Sequence, residues 1–216
     1  MKLLKTRQAW QIALAEAITD PVELWQLLEL DPKLLPAAKK AAEGFGLCVP
    51  RGFVRRMQKG RLDDPLLKQV LPLAAELNEV PHYLADPLQE KAANPLPGLL
   101  HKYHGRVLLT LVGKCAINCR YCFRREFPYA LNNPGKSGLE KIISYLKARP
   151  EIKEVILSGG DPLVANERVL IALTEQLKTV PQLKTLRIHT RIPIVLPERI
   201  NSEFLTWLSA LPWRKV

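Results

Sequence analysis

Arg106-Val107-Leu108-Leu109-Thr110-Leu111-Val112 runs straight into Gly113-Lys114-Cys115-Ala116-Ile117-Asn118-Cys119-Arg120-Tyr121-Cys122-Phe123-Arg124-Arg125. The first stretch is almost wholly apolar, the pattern of a strand covered on both faces. The second holds three of the chain's four cysteines at the spacing C-x3-C-x2-C. A loop this short folds back without strain, so its thiolates can converge on one inorganic centre, and soft sulfur donors suit iron-sulfur clusters or zinc. A closed structural zinc site or an electron-transfer cluster normally takes four protein ligands, so Cys115, Cys119 and Cys122 leave one metal position open. Two other readings stand beside this one. The cysteines could be buried as small apolar residues, or zinc could take a fourth ligand from His101, His104 or His189. Cys48, in the apolar setting Leu47-Cys48-Val49-Pro50, reads as a buried structural thiol.

Downstream the same organisation repeats. Glu154–Ser158 and Thr185–His189 are further buried strands, and 138–148, 167–177 and 201–211 have helical spacing, the last capped by Asn201 or Ser202. Apolar strands alternating with helices imply a parallel sheet with right-handed crossovers. The fold class is therefore α/β, with three βα units. In such folds ligands gather at the carboxyl ends of the strands. The unusual residues sit there: the cysteine loop, then Ser158-Gly159-Gly160-Asp161-Pro162, then His189-Thr190-Arg191-Ile192-Pro193. Paired glycines allow close approach of backbone to a ligand, Asp161 can accept hydrogen bonds from an ammonium group, and Arg191 can hold a carboxylate. Gly-Gly-Asp-Pro is equally an ordinary strand-to-helix turn, and Arg191 could pair with surface acids.

Residues 1–100 read as helices followed by a connector. Asp20-Pro21 and Asp64-Pro65 are helix starts, with Glu23 completing a capping box at the first. Gly46 and Gly60 are placed as helix stops. The stretch 78–97 carries Pro81, Pro87, Pro95 and Pro97 and reads as extended.

The chain has 216 residues and 47% hydrophobic content, enough for a packed core. No apolar run approaches the ~20 residues that cross a bilayer. Met1–Gln8 lacks the apolar region of a signal peptide, so a cytoplasmic location is expected, where clustered thiols serve metals rather than disulfides. The net charge of +11 is scattered in pairs such as Lys39-Lys40 and Arg55-Arg56. No nucleic-acid-binding signature accompanies it, so nucleic acid is not the expected partner.

The three cysteines, with Tyr121 before the last of them and a Gly-Gly-acid turn on the next strand, resemble the radical S-adenosylmethionine superfamily. More narrowly, 101–106, 119–125, 158–163 and 187–193 resemble the lysine 2,3-aminomutase family. The Cys-Arg-Tyr-Cys-Phe-Arg-Arg run with Phe127-Pro128-Tyr129, and Leu96–Leu100 leading in, is similar in particular to the branch that supplies β-lysine for modifying elongation factor P.

The resemblance implies a radical-SAM (βα) barrel, incomplete over 101–216, after a helical N-terminal region. Cys115, Cys119 and Cys122 would hold a [4Fe-4S] cluster whose open iron binds S-adenosylmethionine. Reduction of the sulfonium would yield a 5′-deoxyadenosyl radical that takes a hydrogen from lysine. Ser158, Gly159, Gly160 and Asp161 would contact the methionyl ammonium, with Arg191 nearby and Tyr121 or Phe123 near adenine. Pyridoxal phosphate would hold the migrating amino group as an imine, with Arg106 and Lys102 near its phosphate and Arg124 on the substrate carboxylate. An electron donor such as flavodoxin or ferredoxin is implied; the oligomeric state is not. A radical S-adenosylmethionine enzyme without pyridoxal phosphate, or an inactive iron- or zinc-binding remnant, are the alternatives. In the family the imine-forming lysine and the acids that recognise the substrate side chain lie beyond the equivalent of Val216. A truncated chain is therefore expected, with a raw edge on the third strand and exposed apolar helix faces.

Overall fold

The computed structural model describes residues 7–84 and 86–216; the opening segment read above for a targeting signal lies largely outside them. The chain divides into two compact units.

The first unit comprises the described part of Met1–Tyr83 together with Ala116–Arg125 and Pro193–Arg199. Its helices are α1 (Ala9–Ala15), α2 (Pro21–Leu28), α3 (Leu35–Gly44) and the single turn α4 (Arg51–Val54). Asp20 caps α2 as expected, its carboxylate accepting from Val22 N at 2.9 Å. Glu23 closes no capping box, because its carboxylate pairs with Arg51 instead. Asp64 accepts from the backbone N–H groups of Gln58, Leu66 and Leu67. Only the short 3-10 turn Leu67–Gln69 follows it, not the expected α-helix. Gly46 stops no helix: α3 ends at Gly44 and is capped by Phe45. Ile18, Leu24, Val49, Phe53 and Leu67 are wholly buried and form this unit's core.

The second unit comprises Leu84–Cys115, Glu126–Ile192 and Ile200–Val216. It is built on a five-stranded sheet in the order β1 (Leu99–Tyr103), β2 (Arg106–Val112), β3 (Glu154–Gly159), β4 (Thr185–Ile188) and β5 (Arg214–Lys215). Helices α5 (Gly135–Lys147) and α6 (Glu167–Leu177) connect the parallel strands β2, β3 and β4, the single turn α7 (Ile192–Val195), all but its first residue in the first unit, follows β4 in the chain, and α8 (Ser202–Ser209) leads to β5. The three strands and three helices read from periodicity are all present within about three residues at their ends. The caps of α6 and α8 are Asn166 and Asn201, which accept from Val169 N and Phe204 N.

Two strands escape the periodicity. β1 pairs antiparallel with β2 through the Gly105 turn, where φ is +77°, so the sheet is mixed. β5 pairs with β4 at Thr185 and Leu186, and Val216 O accepts from Ile188 N. The expected raw edge on the third parallel strand is therefore covered along most of its length. Exposed apolar residues do occur on the helices, Val169 and Ile171 on α6 and Leu205 on α8. The opposite faces supply the core: Ile142 and Leu146 from α5, Leu170 and Leu177 from α6, and Val155 and Leu157 from β3. Buried Thr174 on α6 accepts from Trp207 Nε1 of α8 at 3.2 Å, pinning the two helices.

Candidate metal centre

Because β2, β3 and β4 are parallel, their carboxyl ends emerge on one side of the sheet, and backbone contacts draw the segments beyond them together. Gly160 N donates to Val112 O at 2.9 Å and Asp161 N to Lys114 O at 3.0 Å. A Cβ on Gly160 would lie 2.4 Å from Lys114 O. The turn after β3 is thus seated on the backbone one residue before Cys115. Gly159, at φ +103°, has no room either, since a Cβ would meet Thr110 and Val112 O at 3.0–3.2 Å. Both glycines are required by the close approach of the neighbouring strand end, which leaves no room for a Cβ at either position.

Asp161 completes the junction. Its carboxylate accepts from Thr190 Oγ1 at 2.7 and 2.8 Å, Arg191 N at 2.8 Å and Leu163 N at 3.1 Å. Burial pushes its carboxyl above the ordinary value, against the pull of those hydrogen bonds. Asp161 is buried, and these donors to its carboxylate all come from the protein. Ser158, paired with Thr110 across the ladder, is buried as well.

The rest of the cysteine loop belongs to the first unit. Asn118 N donates to Cys48 O and Arg120 N to Gln69 O, both at 2.9 Å, and Asn118 Nδ2 donates to Gly46 O. Cys122 N donates to Cys119 O at 3.0 Å, closing a turn between two of the thiols. Cys115, Cys119 and Cys122 are half-buried and in no disulfide. Cys48 differs: burial pushes its thiol up, and Sγ donates to Ala116 O at 3.6 Å, the behaviour of a packed thiol. Among the described residues, no three His, Cys, Asp or Glu side chains form a ready cage for a metal ion. His101, one possible fourth zinc ligand, has Nδ1 2.8 Å from the hydroxyl of Tyr145. The donor types fit an iron-sulfur group: three half-buried soft sulfurs on a short loop, whose Lys114 is fastened by backbone within the second unit and whose Asn118 and Arg120 are fastened within the first.

The remaining candidates fall in two places. Tyr121 and Phe123 flank Cys122 and are exposed, and the Arg124 guanidinium stacks 4.7 Å from the Phe123 ring centre. Arg106 and Lys102 stand with Tyr103 at the β1–β2 turn, their cationic groups 5.0 and 6.0 Å from its ring centre. Lys102 Nζ also donates to Leu88 O. Arg106 opens β2 and the cysteine loop leaves its far end, a span of about 20 Å for seven residues. The structure thus gathers Lys114, Gly159, Gly160, Asp161, Thr190 and Arg191 at one end of the sheet and Lys102, Tyr103 and Arg106 at the other.

Comparison with known proteins agrees with the donor set. A family described as "4Fe-4S single cluster domain" matches residues 104–191, spanning all three loop cysteines and the Gly-Gly-Asp turn. The chain is 50% identical to the L-lysine 2,3-aminomutase of Escherichia coli (strain K12) over 198 residues, 91% of this chain and 57% of that protein. The chain belongs to the lysine 2,3-aminomutase family. The aminomutase of Haemophilus influenzae is 42% identical over 96% of this chain and 61% of its own length, and that of Clostridium subterminale 34% identical over 82% and 44%. The chain thus spans between 44% and 61% of the length of these aminomutases. Two residues of this family member went unread in the sequence. Arg120, inside the cysteine motif, and Glu76 are bound to each other, and 44 residues of separation give that pairing no local signal.

Proposed function

We propose that this chain is part of a radical S-adenosylmethionine, pyridoxal-phosphate-dependent isomerase that moves the α-amino group of L-lysine to the β carbon. The observation that carries the reading is the three-cysteine loop, held at Lys114 by the Gly160 turn, in a chain half identical to an L-lysine 2,3-aminomutase. Residues 101–216 would be the incomplete catalytic barrel, and 1–100 the helical region and connector before it. The β-lysine product would serve modification of elongation factor P, a reading supported by the resemblance of 119–125 and 127–129 to that branch.

Cys115, Cys119 and Cys122 would hold a [4Fe-4S] cluster, which with three protein ligands would keep a position open for S-adenosylmethionine. When bound, the cluster supplies one electron to the sulfonium, and pyridoxal phosphate supplies a carbonyl that carries the migrating amino group. The chain's own residues bind and orient. Tyr121 and Phe123 offer exposed aromatic faces for adenine, Arg124 a cation for the substrate carboxylate, and Ser158–Asp161 with Arg191 the floor beneath the methionyl group. Arg106 and Lys102 offer two cations for a phosphate.

Anaerobic reconstitution tests this. The expected result is about four irons per chain, with dithionite-dependent cleavage of S-adenosylmethionine. Stoichiometric zinc without cleavage would overturn the reading. Arg106→Ala is expected to lose the pyridoxal phosphate absorbance while keeping its iron; equal retention of that band would remove Arg106 from the phosphate site.

A further inference from the structure

Between Cys119 and Cys122 the chain places a charge, Arg120, that is bound within the first unit. The Arg120 side chain is only 7% exposed. Its Nε donates to Glu76 Oε1 at 2.8 Å, Nη2 to Glu76 Oε2, and Nη1 to Phe45 O at 2.6 Å, while the guanidinium lies 5.0 Å from the Phe45 ring centre. Glu76 is itself held by Leu73 N, which donates at 3.1 Å, and it also receives Arg125 Nη1 at 3.2 Å. Arg125 in turn stacks on the same Phe45 ring at 4.7 Å. One carboxylate therefore holds two arginines of the motif, one of them through a planar two-point grip that fixes orientation as well as position.

We propose that Glu76 is a positioning residue for the iron-sulfur centre, holding the segment that carries Cys119 and Cys122 through its paired hydrogen bonds to Arg120. The inference rests on the cluster reading above. Two physical effects give it content. The grip restricts the loop before metal arrives, so less ordering is left for binding to drive. It also compensates Arg120 and Arg125, which would otherwise turn their charge toward the nearest anions, the thiolates on either side. Without that compensation the cluster would sense more positive charge, which favours its reduced state.

The test uses the full chain, reconstituted anaerobically, as wild type, Glu76→Gln, Glu76→Asp and, as a control for stability alone, Thr174→Ala. Three quantities are measured: iron loss to a chelator, cluster midpoint potential by paramagnetic resonance, and melting of the iron-free chain. Glu76→Gln is expected to lose iron about 10–100-fold faster, the usual effect of removing a partner of a metal ligand's support, with its midpoint moved positive. Glu76→Asp is expected to recover part of both. Thr174→Ala is expected to melt earlier yet keep wild-type iron loss and midpoint. Wild-type iron retention and midpoint in Glu76→Gln would overturn the inference while leaving the cluster reading intact, and so would iron loss that follows melting in the same proportion as in Thr174→Ala. Failure of the wild type to take up iron would overturn both.

Discussion

Gly160 carries more of the site than its lack of a side chain implies. Its hydrogen would be replaced, in any other residue, by a carbon 2.4 Å from Lys114 O and 2.8 Å from Lys114 N. These are backbone atoms and cannot rotate away. Gly160→Ala is therefore expected to cost about 3 kcal/mol, the upper part of the range for overpacking, and to lower iron loading, because Lys114 must move and Cys115 follows it. Gly44, at the end of α3, is the contrast: nothing lies within 4 Å of its added Cβ. Gly44→Ala should leave the melting temperature unchanged or slightly raised. Thermal melts and iron analysis of the pair check this. A glycine pair after a strand was legible as a place of close approach. What approaches was not, because Lys114 lies 46 positions earlier and only strand pairing brings it there.

The elements divide by how local their causes are. β2, β3, β4 and the helices α5, α6 and α8 announce themselves through apolar runs, 3.6-residue periodicity and caps such as Asn201. β1 and β5 do not. Leu99–Tyr103 mixes apolar and polar residues, and Arg214–Lys215 is two charged residues; each is a strand only because β2 or β4 offers it a ladder. The β4–β5 ladder should be weak and testable. Val216 N donates to Leu186 O at 3.1 Å. Val216→Pro removes that donor and is expected to cost about 1 kcal/mol. It should also raise light scattering on concentration, since an uncovered edge pairs with other chains; scattering equal to wild type would mean that β5 does not protect β4.

Across the whole molecule, buried carboxylates set the response to acid. Burial pushes Glu76 up, but the hydrogen bonds and charge of Arg120 and the donation from Leu73 N outweigh it and hold its carboxyl low. Asp64 is likewise held low against burial by the backbone N–H groups of Leu67, Gln58 and Leu66. Groups lowered on folding contribute stability that is complete above their ordinary value, about pH 4, and that is lost as pH falls through the folded value. Asp161, raised by burial, has the opposite sign: its contribution is complete below its ordinary value and lost as pH rises through the raised one. With the exposed Asp63, lowered by its hydrogen bond to Arg61, three lowered carboxylates stand against one raised group and predict a melting temperature that falls on acidification below about pH 4, with a shallower acid slope in Asp64→Asn. Melting curves between pH 3 and pH 7 check both. By itself the sequence determined the α/β class, which rests on periodicity, and the family, which rests on the resemblance of its motifs to those of lysine 2,3-aminomutases. Tertiary structure decided that Gly160 seats Lys114, that Asp161 ties the strand ends, and that Glu76 holds Arg120. Each of these joins residues 29 to 46 positions apart, and such a pairing has no signature until the chain has folded it into contact.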